Sequence, residues 1–599
     1  MPIRAFPVGD VPREIIEARG PPSSYSSGFC LVYERAFISI RRSTFGDAAA
    51  GRPDLQWGFG GYARAVAIFD PSLWTPERVI AAWPRRRYLA ALCSCPPGAD
   101  SQGGRAAREW ARWSILGTPA WVLKFGAEEA DPIGRMCTEV EATAESARAE
   151  RARLEAARPR QVGWSSVPFV GGWFVAIGYE AGRSVEPRAA MKHDRVDDAW
   201  PWSVVMWRVP HAMVFDHAEG AWWDVGGERR AERVENTDVV RRFGNLEFGG
   251  GDAHFAVSDL RPEEDRAAFE AQVARTVEYI RAGDIFQANI AHRLRGGFDG
   301  STRALFGAML RRSAPWYGAY LECADPTGFR AIASASPELF LQHHAPTRLT
   351  TTRPIKGTRS VGGSDGAKGL RESVKDQAEL NMIVDLMRND LGRVAKVGSV
   401  RVVEERVIER HGWAGEGRES VSPGSESRHT QSHASGPEGR PTQEPPTQGQ
   451  GVYHGVATVR ATLRKDAGLR ELLMAAFPGG SITGAPKVRA MQVIEELEPR
   501  ARGIYTGAIG YISDCGNVCL NIAIRTAVVR APARAITPEP PNEPIDEIRG
   551  GELTYGAGAG IVADSVPALE WEETMQKAGV VTGIASCAES AAGHCGSRV

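Results

Sequence analysis

Apolar positions recur at helical spacing in several stretches of the second half of the chain. Phe269, Val273 and Val277 share one helical face, Ile280 follows, and Gly283 supplies a stop, so the pattern predicts a helix over 264–282. The next apolar run, 285–294, reads as a strand. Leu380, Ile383, Leu386 and Met387 predict a second amphipathic helix over 375–389, and a third is expected over 568–578. In the first half, VPFVGGWFVAIGYEAGR, from Val167 to Arg183, is apolar and aromatic between glycines, which suggests a buried strand. Alanine, glutamate and arginine dominate 144–158 and predict an exposed helix.

Two segments break this pattern. Residues 412–451 are Ser, Gly, Pro, Gln and Glu with almost nothing apolar. Such a stretch buries too little surface to offset the entropy of ordering, so a disordered insertion is predicted there. A shorter Pro/Glu-rich insertion is expected over 531–550, and 581–599 reads as a flexible tail. The expected organisation is an N-terminal part over 1–250, a second domain over 251–580 that carries both insertions, and the tail.

Composition narrows the function classes. Of 599 residues, 43% are apolar and 24% charged, the balance of a soluble globular chain large enough for more than one structural unit. Seventy-two basic residues against 73 acidic ones leave no basic excess for nucleic acid. No uninterrupted apolar stretch reaches the ~20 residues of a membrane helix, so no membrane partner is expected. The first twenty residues carry acids and prolines where a signal peptide needs an apolar run, which makes a cytoplasmic location the default. Cys93 and Cys95 stand either side of Ser94, and Cys515 and Cys519 are four apart, but no His/Cys pair completes a zinc pattern. The nine cysteines are therefore read as reduced thiols without a role.

Candidate chemistry begins with acidic pairs. Glu570, Glu573 and Lys577 lie along one helix face, and Asp376 and Glu379 along another. Two such faces meeting would present oxygens to Mg²⁺, which takes few carboxylates, several waters and an anionic substrate group. An exposed Glu573–Lys577 pair and solvated Asp376 and Glu379 fit the spacing equally well. PGGSITGAPK, over 478–487, has phosphate-loop glycine spacing but Ala485 where the lysine belongs. GAGAGIVAD, over 556–564, is followed by no βαβ unit, which argues against a dinucleotide site. Its Gly558-Ala559-Gly560 run can still bring backbone N–H groups close to a carboxylate. Lys356, between Ile355 and Gly357, is either a nucleophile activated by burial or a loop lysine in water. His454 is either a general base or a satisfied core histidine.

The order and wording of these segments carry a resemblance. IRAGDIFQANIAHRL from Ile280, SASPELFL from Ser334, TRPIKGTR from Thr352 and ELNMIVDLMRNDLGRVAKVGSV from Glu379 come first. FPGGSITGAPKVRAM from Phe477, RGIYTGAIGYI from Arg502, NIAIRT from Asn521 and GAGAGIVADSVPALEWEETMQKA from Gly556 follow. Over 264–580 they resemble the chorismate-binding domain shared by anthranilate, aminodeoxychorismate and isochorismate or salicylate synthases. FVGGWFVAIGYEAGR is similar to the family's N-terminal domain. The resemblance implies an α/β (α+β) fold: a two-layer sandwich of large, mostly antiparallel sheets flanked by helices, with chorismate and Mg²⁺ bound between them. It implies that Glu379, Glu570 and Glu573 surround the metal, with Asp376 in a supporting position. Arg525 and Tyr505 match positions that hold a substrate carboxylate, and Gly558, Ala559 and Gly560 a backbone cradle. Thr358, Thr483 and Lys577 match further substrate contacts, Glu338 the general acid for the departing hydroxyl, and His454 an active-site histidine.

Two positions discriminate within the family. Isochorismate and salicylate synthases carry a water-activating lysine where Gln287 stands here. Glutamine has no useful basicity, whereas ammonia needs no deprotonation to attack, so an amino-transferring member is implied. Anthranilate synthases typically read PIAGT and aminodeoxychorismate synthases PIKGT; this chain reads PIKGT over 354–358. In the latter enzymes the lysine amine attacks C2 of chorismate and displaces the C4 hydroxyl, and ammonia then attacks C4 and expels the lysine. The implied product is 4-amino-4-deoxychorismate, for 4-aminobenzoate and folate synthesis. Anthranilate is the alternative, and a non-catalytic homologue a remote one. No Gly-x-Cys-x-Gly elbow of a fused glutaminase is present, so ammonia is expected from a separate glutamine amidotransferase subunit.

Overall fold

The computed structural model describes residues 75–96, 104–157, 167–189, 196–226, 229–234, 254–361, 366–411, 451–532 and 546–593, with short paired segments at 32–33 and 36–37. Met1–Leu73 forms a contact unit of its own, in which Val32–Tyr33 pairs antiparallel with Ala36–Phe37. The second unit, Trp74–Val599, carries two large sheets.

The first sheet runs in the order Arg229–Val234, Ala221–Gly226, His211–Asp216, Trp113–Gly117, Ala90–Cys93, Tyr317–Asp325, Gly328–Ser336, Thr526–Pro532, Glu547–Ile561, Gln287–Ser301 and Phe255–Pro262. Gly484–Ala485 adds a short pairing to the Gln287 end of its strand. The second sheet runs Ile355–Ser360, Val452–Thr462, Leu349–Arg353, Leu339–His344, Val518–Ile522, Ala508–Ser513, Gly172–Ile177, Trp202–Val209 and Trp121–Gly126, with Arg401–His411 also on Val452–Thr462. Pairing is antiparallel throughout the described residues, as in Tyr317–Asp325 with Gly328–Ser336 and Gly172–Ile177 with Ala508–Ser513.

Strand periodicity explains the layering. Along Gly172–Ile177 every residue is buried, because both faces of the strand are covered. Trp173, Val175 and Ile177 join an apolar cluster with helix residues Ile133, Leu380 and Ile383. Phe174 and Ala176 face the other way, into a cluster with Ala319, Leu321 and Ile332 of the opposing sheet. A third cluster packs Leu305, Phe306 and Ala578 from helices against Tyr320, Leu553 and Tyr555. The molecule is thus sheet on sheet, with helices on the outer faces.

The predicted helices form, with shifted ends. Arg266–Arg281 is capped by Asp265, whose carboxylate accepts from Ala268 N at 2.7 Å, and Gly283 takes φ +83° after it. Val374–Gly392 is capped by the Ser373 hydroxyl. The helix predicted over 144–158 begins earlier, at Pro132. The helix predicted over 568–578 spans Pro567–Gly593, so the segment read as a tail from 581 starts inside it, where Val581 and Ile584 are buried. The strand predicted over 285–294 is Gln287–Ser301. Residues on either side of 250 share both sheets: Ala90–Cys93 pairs with Tyr317–Asp325. The insertion predicted over 412–451 lies outside the described residues apart from Gly451. Of 531–550, Ala531–Pro532 and 547–550 are strand and Asp546 is buried beside Arg85 at 3.1 Å, while 533–545 lie outside the described residues. Among the described residues no helix is long and apolar enough to cross a membrane.

Twice, side by side, the chain steps from one sheet to the other within a few residues: between Ser336 and Leu339, and between Ile522 and Thr526. The crossings are tied together. The Ser336 hydroxyl donates to Ile522 O at 2.6 Å, Ile522 N to Glu338 O at 3.1 Å, and Ala335 N to Arg525 O at 2.9 Å.

Candidate active site

Each crossing carries one candidate side chain. Glu338 lies in the first, only 5% exposed. Burial pushes its carboxyl up to about 7, against the opposing pull of the Ser481 hydroxyl, the Lys356 and Lys577 charges and the Ile355 N–H. A carboxyl that is half protonated near neutrality is poised to deliver a proton. Arg525 lies in the second crossing, in the left-handed region at φ +51°, a conformation an arginine holds only where its surroundings enforce it. Burial lowers its pKa, partly countered by the nearby Tyr555 and Glu338. Among the described residues no carboxylate lies within ion-pair distance of its guanidinium, which leaves that fork available to an anionic ligand.

Gln287 and Lys356 come from different sheets and meet at Gly560. A Cβ at Gly560 would lie 2.6 Å from Gln287 Nε2 and 3.0 Å from Lys356 Nζ. The sequence left Lys356 as either a nucleophile or a loop lysine; it sits in the strand Ile355–Ser360, its side chain 14% exposed and its amine 3.7 Å from Glu379 Oε2. Gly357 makes this approach possible. It takes φ +79°, and a Cβ there would press on Leu370 Cδ1 at 2.5 Å and Asp376 Cγ at 2.8 Å, pushing away the helix that carries Glu379. Gly560→Ala should therefore displace the Gln287 amide and the Lys356 amine together. The expected result is loss of turnover by about a hundredfold or more with an unchanged melting temperature, read from initial rates beside a thermal melt. Turnover within twofold of the parent would remove the tight convergence.

The acidic residues fall on two helix starts that adjoin. Lys375 Nζ, beside Asp376, is 4.0 Å from Glu570 Oε1. The Ser565 hydroxyl donates to Glu570 at 2.7 Å. Burial and the neighbouring Glu573 raise the Glu570 pKa. Desolvation works the same way on Glu573, but Lys577 at 2.7 Å overrides it and holds this carboxylate below its usual range. Lys577 also donates to Gly558 O at 2.8 Å. The side chains of Glu573 and Lys577 are half exposed and form the i, i+4 pair that the spacing allows. Asp376 turns to Arg359 at 3.1 Å. Lysines thread the glutamates, and the oxygens of Glu379, Glu570 and Glu573 do not gather within 4.8 Å of one another.

His454 is buried on Val452–Thr462, opposite Thr358 on the neighbouring strand, whose hydroxyl contacts His454 Nδ1 at 2.9 Å. Burial, helped by His411 and Arg525, pushes its pKa well below the usual value, so the ring is neutral. Among the buried polar atoms that have no protein partner in the described residues are His454 Nε2, Gln287 Oε1 and Asn289 Oδ1. Such atoms mark where a polar ligand or water belongs. Thr483 is fully buried, with its hydroxyl committed to Gly479 O at 3.0 Å. Tyr505 packs its ring on Gly556 and lines a cleft with Arg293, Arg502 and Tyr555; burial raises its phenol pKa. Gly558, Ala559 and Gly560 lie within a strand, paired with Ala291, Ile290 and Asn289. Sequence reasoning missed Ser481, Lys375, Ser565 and Asn289. Each sits inside or beside a quoted motif, but none has a spacing that singles it out.

The match to known proteins covers most of this framework. The chorismate binding enzyme family model matches residues 107–413 and 447–583, reaching back well before 264. Aminodeoxychorismate synthase component 1 of Escherichia coli (strain K12) is 33% identical over 421 residues, which is 69% of this chain and 76% of that protein. Anthranilate synthase component 1 of Pseudomonas putida is 35% identical over 375 residues, 61% of this chain and 63% of that protein. The crystal structure of anthranilate synthase component I from Streptococcus pneumoniae TIGR4 shares the fold at a TM-score of 0.53 and 24% identity, covering 78% of this chain and 91% of that one. A glutamate and an arginine at paired sheet crossings, facing a lysine and a glutamine that meet over a glycine, thus stand within a matched frame, and the chain belongs to the chorismate-binding enzyme family, as a chorismate-utilising enzyme.

Proposed function

We propose that the protein is the chorismate-aminating component of an aminodeoxychorismate synthase. The convergence of the Lys356 amine and the Gln287 amide at Gly560, beside Glu379, carries this reading. Arg525, unpaired and aimed from a sheet crossing, takes a chorismate carboxylate. The free amine of Lys356 attacks C2; the ring double bond shifts as the C4–O bond breaks, and Glu338 protonates the departing hydroxyl, which leaves as water. Ammonia then attacks C4, the double bond shifts back, and the C2–N bond to Lys356 breaks. Lys356 leaves as the neutral amine that attacked, and the incoming nitrogen sheds one proton, which restores Glu338, so the net change is replacement of hydroxyl by amino. Gln287 offers no base to activate water at the same place, which keeps oxygen from competing.

Glu379, Glu570 and Glu573 fit a hydrated Mg²⁺ rather than one ligated wholly by protein. Their oxygens stand too far apart to close a shell, and this ion keeps several waters and takes substrate oxygens. When bound it would neutralise a substrate carboxylate. Dialysis against a chelator should abolish turnover, and magnesium should restore it without any change in far-ultraviolet circular dichroism. Turnover that persists without divalent cation would remove the metal from the reading.

Ammonia would come from a separate glutamine amidotransferase. Exposed Phe286 (69%), Val374 (82%) and Leu569 (65%) flank Gln287, Asp376 and Glu570 in sequence, apolar surface suited to a partner over the site. The deciding experiment supplies chorismate, Mg²⁺ and ammonium to the purified protein and identifies the product. 4-Amino-4-deoxychorismate, convertible to 4-aminobenzoate by a lyase, supports the assignment. Anthranilate as the product would turn it to the second reading, which similarity to the Pseudomonas putida protein favours.

A further inference from the structure

Away from the chorismate site, residues from two elements bring metal-ligating atoms together. Cys93 closes the strand Ala90–Cys93, and Cys95 follows two residues on, where extended chain turns side chains to the same side. Both thiols are buried. Glu77, from the helix Pro76–Ala81, joins them: its carboxylate accepts from Cys95 Sγ at 3.4 Å. One ligand atom from each of the three residues lies within 4.8 Å of the other two, and this is the sole such group among the described residues.

Two further observations bear on what belongs there. Glu77 is pressed against thiols and, among the described residues, has no basic side chain within ion-pair distance, so no described basic group balances its negative charge. The segment is also held in place from several sides. Ser94 N donates to Ser114 Oγ at 3.0 Å, Ser94 Oγ to Trp316 O at 2.6 Å, and Cys95 N to Pro315 O at 2.8 Å. Ser114 Oγ lies 3.8 Å from Cys93 Sγ and 2.8 Å from His217 Nε2, so an imidazole stands just behind the thiols.

We propose that Cys93, Cys95 and Glu77 form a binding site for a thiophilic divalent cation of the zinc type, which clamps the Pro76–Ala81 helix to the strand. Two sulfurs and one carboxylate oxygen supply three tetrahedral positions, and water fills the fourth. Sulfur ligands of one tetrahedral zinc stand about 3.8 Å apart, given Zn–S bonds of about 2.3 Å, so the present spacing must contract by no more than about 1 Å. On binding, each thiol loses its proton to solvent and becomes a thiolate. The cation neutralises Glu77 as well. Isolated Cys-Ser-Cys gives no sign of this in the sequence, because the third ligand comes from a helix and the fourth position from water.

Cobalt(II) is the probe, since it reports thiolate ligation by a near-ultraviolet charge-transfer absorption that carboxylate-bound cobalt at the chorismate site does not give. Chelator-treated full-length protein with one equivalent of Co²⁺ should show this band, and zinc should abolish it by displacement. The Cys93→Ser, Cys95→Ser double variant should lose it, and Glu77→Gln should weaken Co²⁺ binding at least tenfold while keeping chorismate turnover. Absence of the band in the parent, or its survival in the double variant, overturns the proposal. Should the double variant fail to fold, Glu77→Gln retains both thiols and decides alone: unchanged cobalt affinity overturns it. Turnover of chorismate is read separately, so failure here leaves the proposed function untouched, and the reverse.

Discussion

Lys356→Ala should lower formation of 4-amino-4-deoxychorismate by at least about a thousandfold, equivalent to about 4 kcal/mol of transition-state stabilisation. The expectation follows from where the amine lies: 3.0 Å from the Gly560 Cβ position, next to the Gln287 amide and 3.7 Å from Glu379. Among the described residues no other lysine meets Gln287 at Gly560. The loss should fall on kcat more than on KM, because Arg525, proposed above to take a substrate carboxylate, is untouched by the substitution. Removing the side chain also opens C2 to ammonia, so the residual product should include the 2-amino compound. Lys356→Arg keeps the positive charge but not the nucleophile and should be equally inactive, which separates chemistry from charge. Chromatographic separation of products from ammonium-dependent reactions provides the measurement. Undiminished 4-amino product in Lys356→Ala would end the nucleophile role.

Glu338→Gln should be nearly inactive and, above neutral pH, more stable than the parent. Loss of a positioned general acid typically removes about 10²–10⁴ in rate. The stability effect has a definite sign. Burial raises the Glu338 carboxyl from its ordinary 4.5 to about 7. Below about 4.5 the residue is protonated whether the chain is folded or not, and its burial is inexpensive. As pH rises toward 7 the unfolded chain releases this proton first, so stability drains away and stays lost above about 7. Glutamine does not titrate, and the variant should escape a loss of up to about 3 kcal/mol. Chemical denaturation at pH 5 and pH 8 tests this: the gap between variant and parent should widen with pH. A gap independent of pH would mean that the carboxyl is not held protonated. The parent's activity should in turn fall as pH rises above about 7, as the acid form is depleted. Stability given up at an active site in return for a proton in the right place is a common exchange.

Periodicity, caps and motif order made a good part of the protein legible from its residues alone. The buried apolar strand Gly172–Ile177, the apolar faces of Arg266–Arg281 and Val374–Gly392, and Gly283 as a stop all depend on neighbours within a turn or two, and they appear where predicted. The family resemblance likewise lived in linear segments, and its two-sheet architecture is the one that forms. Tertiary structure decided the rest. That 250 is no seam, that Ala531–Pro532 and 547–550 belong to strands, and that Val581 and Ile584 are core follow from long-range pairing and packing that no local window contains. The same holds for chemistry. Whether Lys356 sat in water or in a cleft depended on its pairing with Gly455, on the bare Cα of Gly357 and on the approach of the Glu379 helix. The spacing alone also could not say that the Glu573–Lys577 pair would stand on the helix whose Glu570 approaches Lys375 of another helix. Sequence determines which side chains are present and how they repeat along the chain. Convergence of Gln287 and Lys356 from separate sheets is set by register and by the sheet crossings at Glu338 and Arg525, and those free energies belong to the whole fold.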